Sequence, residues 1–222
     1  MTARPRVTLK LATSLDGRIA TASGESQWIT GPRARAAGHD LRAVHAAILV
    51  GSGTALADDP ELTSRPPEPP PTQPLRIVLD TRLRLPLDAQ LLKTTGLGQV
   101  LIVTGEGAPG RAKVAIEALG ARVMSCASGP NGIEIPALLE GLRNEDGIES
   151  LLVEGGGKVA ASFLRAHAID RIEWFRAPLI LGAEGRPGIA ETGVEMLSQA
   201  SRWRRTAARP LDDDLWETYE RI

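Results

Sequence analysis

Twice in this chain a run of apolar residues ends on glycine and passes at once into a helix-forming pattern. The stretches are "AAILVGSGTALADDP" (46–60) and "LLVEGGGKVAASFL" (151–164). A short apolar run without alternation suits a strand buried on both faces. Around these two units the same alternation continues. "RIVLD" (76–80), "VLIVTG" (100–105) and "ARVMS" (121–125) read as strands, and "PGRAKVAIEALG" and "IPALLEGLRNEDG" as helices. Repetition of this kind predicts an α/β fold with a mixed, mostly parallel central sheet flanked by helices.

The ends of the chain differ from its middle. "RVTLKLA" (6–12) alternates apolar and polar residues, the period of a half-buried strand, and "TSLDGRIA" follows with a DG turn signal. A helix is expected over 31–44, with Thr30 as N-cap and Pro32 in its first turn. The segments 170–182, 201–210 and 215–222 read as strands without intervening helices, so antiparallel C-terminal strands are expected. Between 66 and 74 stand six prolines. They remove backbone donors and disfavour helix, which makes 64–74 a surface loop of one domain spanning 1–222.

Composition excludes several classes. The 222 residues are 42% hydrophobic and 24% charged with a net charge of −1, so no general field attracts nucleic acid or an anionic membrane. The single cysteine, Cys126, cannot form an internal disulfide, and His39, His45 and His167 show no metal-ligand spacing. Lys10 and Asp16 interrupt the apolar positions near the start, and no apolar run approaches the ~20 residues that span a bilayer. A cytoplasmic protein with no metal is expected.

The glycine turns fit neither nucleotide fingerprint. Leu152 and Val159 break the P-loop pattern, and Ala160 replaces the last glycine of the dinucleotide pattern. Their local physics remains: bare backbone admits close approach, and a helix start aims N–H groups at an anion. Two such turns at strand C-termini point to a ligand cleft. Thr54 and Asp58 suit contact with a ribose or carboxamide, or else cap a short helix. Arg42 and Arg65 suit convergence on a phosphate, since a planar guanidinium binds oxygens in pairs. Arg33 and Arg35 read as solvated charges, as does the basic run "SRWRRTAAR" on an edge strand. Trp28 suits stacking on a ring or simple packing. Lys10, between apolar neighbours, suits proton transfer or an outward-facing strand position.

Taken together, "VTLKLATSLDGRIATASGESQWITG", "LRAVHAAILVGSGTALADDPELTSR", "RIVLDTRLRLP" and "LLVEGGGKVAASFL" resemble the RibD C-terminal reductase family of riboflavin biosynthesis. The likeness runs from about residue 6 to 220 and implies a dihydrofolate-reductase-like fold. It implies NADPH as cofactor, in contact with Ala12, Trp28, Thr54 and Asp58. Thr81 and Arg82 would face its adenosine side. The turn Gly156, Gly157, Lys158, Val159, Ala160, Ala161 and Ser162 would hold its phosphate. Substrate would meet Ser26, Arg42, Leu62, Arg65 and Glu154, with Lys10 and Glu154 nearest the chemistry.

The implied reaction reduces a ribosylamino-pyrimidine 5′-phosphate to its ribitylamino counterpart. Two substrates fit, the uracil and a 2,5-diamino-pyrimidinone. The HxE…PCxxC signature of a zinc deaminase is missing, so a stand-alone reductase is expected, with deamination on a separate chain. The resemblance also implies a homodimer. A divergent dihydrofolate-reductase-like enzyme would keep the NADPH residues without needing both arginines. A regulatory nucleotide-binding module would bind NADPH without turnover.

Overall fold

The computed structural model describes residues 4–68 and 70–222; Met1–Ala3 and Pro69 of the proline tract lie outside the described residues. In chain order the first elements are β1 (Arg6–Thr13), β2 (Arg18–Ala20), α1 (Pro32–Ala43), β3 (Ala47–Gly51) and α2 (Ser52–Asp58). There follow β4 (Leu75–Leu79), α3 (Gln90–Lys93), β5 (Val100–Gly105), α4 (Gly110–Glu117) and β6 (Arg122–Cys126). Next come β7 (Ser128–Gly129), β8 (Gly132–Ile133), α5 (Ile135–Asn144), β9 (Ser150–Gly155) and α6 (Gly157–Arg165). The last are β10 (Arg171–Arg176), β11 (Arg186–Pro187), β12 (Trp203–Leu211) and β13 (Asp214–Arg221).

The described residues form two compact units, one within 4–6 and 39–152, the other of 7–38 and 153–222. In the first, β3, β4, β5 and β6 pair in parallel in that order. Every residue of β3 and of β5 is buried, which is why their sequences show no alternation. One apolar cluster gathers Val50, Val78 and Ile102 from the strands with Leu62, Leu91 and Ile116 from the segments around them. Helix α5 buries Ile135, Leu138, Leu139 and Leu142, a spacing that sets all four on one face. Each such side chain contributes about 1.5–3 kcal/mol through burial.

In the second unit β1 and β10 are parallel, while β13 runs antiparallel to both β10 and β12. The expected strand over 170–182 stops at Arg176, because Pro178 has no N–H to continue the ladder. Beyond it the chain returns along the first turn of the sequence, Leu15 N–H donating to Leu179 O. Helix α1 begins at Pro32 as expected, but the carbonyl that opens it belongs to Gly31, which accepts from Arg35 N–H. Gly31 therefore holds the N-cap position in place of Thr30. Among the described residues, no helix is long and apolar enough to cross a membrane.

Charges are buried where they are answered. Glu173 on β10 is 1% exposed and accepts from Trp216 Nε1 at 2.6 Å, Thr218 Oγ1 at 2.8 Å and Arg171 Nε at 2.5 Å. Burial works against the charge of Glu217, yet hydrogen bonds from Arg205 and Tyr219 and the Arg176 guanidinium prevail and lower its pKa. In the first unit Arg76, the second residue of β4, has no solvent exposure at all. Its Nη1 donates to Glu61 O and Thr94 Oγ1, and its Nη2 to Thr94 O and Gly98 O, at 2.5 to 3.0 Å. Removing it leaves those oxygens buried without donors. Arg76→Leu is expected to lower stability by about 2–4 kcal/mol, read as a lower urea midpoint at unchanged slope.

Candidate active site

Each parallel strand of the first unit delivers a loop at its C-terminal end, the usual ligand side of such sheets. After β3, Gly51 takes the N-cap position of α2 and Asp59 its C-cap, in the left-handed region. Thr54 and Asp58 therefore lie within the helix and cap neither end. Thr54 is half-buried and Asp58 exposed, although the protein atoms crowding the Asp58 carboxyl push its pKa upward. The Asp59 carboxylate accepts from Gln90 N–H, so it caps α3.

The segment that follows carries the expected phosphate ligands. Leu62 adopts φ 56° with its side chain 2% exposed in the core. A left-handed leucine costs about 1–2 kcal/mol, which burial of the side chain offsets. The kink presents Thr63 between two guanidiniums. Arg42 Nη1, from the last turn of α1, donates to Thr63 O at 2.9 Å, and Arg65 Nη1 donates to Thr63 Oγ1 at 3.0 Å. Arg65 also pairs with Glu61 at 2.5 Å. Arg42, Leu62 and Arg65 are thus gathered on one short segment.

After β4 the chain turns on Asp80, whose wholly buried carboxylate accepts from the backbone N–H groups of Arg84 and Leu85. Arg84 reaches on to Ser52 Oγ at 2.6 Å, tying this turn to the start of α2. Thr81 O accepts from Thr104 Oγ1 and from Gly105 N–H at the end of β5. Thr81 is half-buried and Arg82 exposed.

The second unit holds the other expected residues. Lys10 and Ala12, both half-buried, are two apart on β1 and so share a face. The Lys10 ammonium lies 5.7 Å from the Phe175 ring centroid, and Phe175 stacks on Trp216 at 5.1 Å. Ser26 and Trp28 belong to one turn, closed by Ile29 N–H on Ser26 O. Trp28 is 68% exposed, with the Arg35 guanidinium 4.6 Å over its ring. Arg35 is therefore engaged rather than simply solvated, whereas Arg33 is exposed and pairs with Asp212.

Glu154 is half-buried at the end of β9, just before Gly155 and Gly156 at φ 151° and 84°. Gly156 occupies the N-cap of α6 and supplies no side-chain cap, so the first backbone N–H groups of α6 have no acceptor from it. A Cβ on Gly157 would run into the carbonyl oxygen of Pro187 and lie 3.2 Å from Ala190 N. Its bareness is therefore required by the protein's own backbone. Ala160 and Ala161 are buried, and the Ser162 hydroxyl donates back to Lys158 O within the helix. Lys158 is exposed and Val159 half-buried.

Reading the sequence missed Glu61, Thr63 and Asp16. Glu61 and Thr63 gave no signal beyond proximity to the arginines. Asp16 had one, the DG turn, but not its partners: it accepts from Ser14 Oγ, Leu181 N–H and Gly182 N–H. Among the described residues no group of His, Cys, Asp and Glu is arranged to hold a metal ion.

Residues 5–215 match the model of the RibD C-terminal domain. The Riboflavin biosynthesis protein RibD of Bacillus amyloliquefaciens is 42% identical over 96% of this chain, which covers 57% of that protein. Among solved structures, Acinetobacter baumannii RibD superposes with a TM-score of 0.86 at 31% identity, over 99% of this chain and 58% of that one. A diaminohydroxyphosphoribosylaminopyrimidine deaminase/5-amino-6-(5-phosphoribosylamino)uracil reductase from Thermotoga maritima gives 0.79 at 29%, over 99% and 57%. The chain spans a little over half the length of the curated relatives it matches. These likenesses bear out the mixed α/β fold of dihydrofolate-reductase type, with mostly parallel strands and an antiparallel C-terminal pair.

Gly157→Ala separates packing from ligand approach. If Pro187 sets the requirement, the variant loses about 1–3 kcal/mol of stability without any ligand present, seen as a lower melting temperature of the free protein. A variant as stable as the wild type would leave ligand approach as the reason for that glycine.

Proposed function

The chain belongs to the RibD C-terminal domain family, and from that premise we propose that it is an NADPH-dependent reductase of riboflavin biosynthesis. Its substrate is 5-amino-6-(5-phosphoribosylamino)uracil, reduced to the ribitylamino compound; the 2,5-diamino-pyrimidinone analogue is the alternative. The observation that carries this reading is the pair of guanidiniums, Arg42 and Arg65, drawn to the two oxygens of Thr63. Neither a regulatory module nor a reductase of unphosphorylated pteridines needs two forked cations on one buried kink.

Several features fit a dinucleotide. The uncapped start of α6 offers backbone N–H groups at Gly157, Lys158 and Val159 for a phosphate. The buried Ala160 and Ala161 and the self-bonded Ser162 then support that turn from behind. Thr54, Asp58 and Thr81 offer polar groups for the ribose and carboxamide, Arg82 a cation for the adenosine side, and Ala12 its backbone. Trp28 offers a ring face. When bound, NADPH supplies the hydride that reduces C1′ of the ring-opened sugar.

The chain's own residues bind, orient and move protons. Arg42 and Arg65 take the 5′-phosphate, with Leu62 and Ser26 lining the substrate. Lys10, held over Phe175, is in our reading the group that handles a proton at the opening sugar. Glu154 orients the ribose hydroxyls. Precise positioning of the reacting carbons, ~3–3.5 Å apart, is the main demand on such a protein. The same reading carries a cytoplasmic homodimer.

Mixing the protein with NADPH and each pyrimidine in turn tests the activity through loss of the reduced-nicotinamide absorbance. Loss with one substrate and not the other names the substrate; no loss with either overturns the reading. Arg65→Ala is expected to raise KM for the pyrimidine phosphate about 10- to 100-fold, the loss of one charge-assisted contact, with KM for NADPH within twofold.

A further inference from the structure

The second unit contains a polar latch that the reading above does not use. From Leu179 to Ala190 the chain forms a strap that is fastened at both ends. At one end Leu15 N–H donates to Leu179 O, and the Asp16 carboxylate accepts from two consecutive backbone donors, Leu181 N–H at 3.2 Å and Gly182 N–H at 2.8 Å. The carboxylate is itself held by Ser14 Oγ at 2.5 Å, and Ser14 Oγ accepts from Arg18 N–H. In the middle β11 pairs antiparallel with β2, and Gly188 N–H donates to Gly17 O. At the far end Ala190 N–H donates to Gly157 O, and Pro187 occupies the space that a Cβ on Gly157 would need.

The strap therefore runs without a break from Asp16 to the residue that opens α6. We infer that Asp16 is a positioning residue for the dinucleotide: through the strap it fixes the backbone of Gly156–Val159 in the orientation that receives a phosphate. The inference rests on the cofactor reading above. A carboxylate accepting successive backbone N–H groups forms charge-assisted bonds that a neutral side chain does not reproduce. The hydrogen bond from Ser14, with those from Leu181 and Gly182, holds the Asp16 carboxyl down to about 2, so it is ionised whenever the protein works. An amide at position 16 can accept at only one of its two atoms, so one strap bond is lost and the repulsion of a second donor is added.

The test compares wild type, Asp16→Asn and Ser14→Ala in full-length protein by three readouts. These are NADPH affinity by nucleotide fluorescence, the separate KM values for NADPH and pyrimidine, and amide hydrogen exchange over 156–160. Asp16→Asn is expected to weaken NADPH binding about 3- to 10-fold, to leave the pyrimidine KM within twofold, and to speed exchange at 157–160 as well as at 181–182. Ser14→Ala leaves the carboxylate in place and should move all three the same way by less; it decides the matter if Asp16→Asn does not fold. Unchanged NADPH affinity in variants with a lowered melting temperature overturns the inference and leaves Asp16 a structural turn residue. Equal damage to both KM values, or faster exchange confined to 181–182, overturns it too. A wild type that does not bind NADPH fails the cofactor reading itself and removes the inference with it, an outcome distinct from variants that bind as tightly as wild type.

Discussion

A guanidinium sealed from water needs oxygens for its N–H groups, and both terminal nitrogens of Arg76 find them in carbonyls and a hydroxyl drawn from three separate places in the chain, while its buried Nε has no partner. Glu61, Thr94 and Gly98 are 15 to 22 residues away in sequence. Burial lowers the Arg76 pKa, while the nearby Glu61 charge works the other way. Because the charge is buried at the second residue of β4, the chain at Glu61 is anchored to the sheet of the first unit. Four residues later comes Arg65. The intervening kink at Leu62 buries its side chain in the core, so Thr63 is presented between Arg42 and Arg65 without any regular secondary structure to hold it there.

The second unit uses charges of the opposite sign. Where β1 ends, backbone pairing gives out, and Asp16 takes up the donors of a returning segment that no sheet supplies with acceptors. Glu173 and Glu217 do likewise between β10, β12 and β13, each with two or more donors around a buried carboxylate. Apolar burial supplies the bulk of the stability in both units. The ionised groups decide where loops go. Strands form the frame, and irregular segments at their ends carry the charged groups that fix the loops.

The frame was legible in the sequence because each of its elements obeys a local rule. Uninterrupted apolar runs became the buried strands β3 and β5, and "PGRAKVAIEALG", read as helix, became α4, which ends at Glu117. The strand over 170–182 was overextended because an apolar pattern continues through "APLILG" after the hydrogen-bonding pattern has stopped at Pro178. Thr30 looked like a cap because caps are recognised by side-chain type, but the chain enters α1 one residue later, at Gly31. Arg76 was read only as the first residue of the strand 76–80, and its partners gave no signal, since sequence spacing says nothing about which distant carbonyls face inward. Arg42 and Arg65 were expected to converge on a phosphate from residue chemistry and the family likeness; Thr63, which both contact, gave no signal.

The three glycines at 155–157 show why a motif alone underdetermines its cause. Gly155 and Gly156 are there for backbone angles a side chain would resist, and Gly157 because Pro187 needs the space. None of these reasons involves a ligand. A phosphate bound by backbone N–H groups gains most when those groups already point the right way, since otherwise part of the interaction is lost in ordering them. Here the ordering is done during folding, by contacts between the turn and a segment some thirty residues further on. The packing explanation and the binding explanation of the glycine turn are therefore successive steps of one argument: close backbone contact fixes the direction of the α6 N–H groups, and a fixed direction is what makes an uncapped helix start selective for an anion.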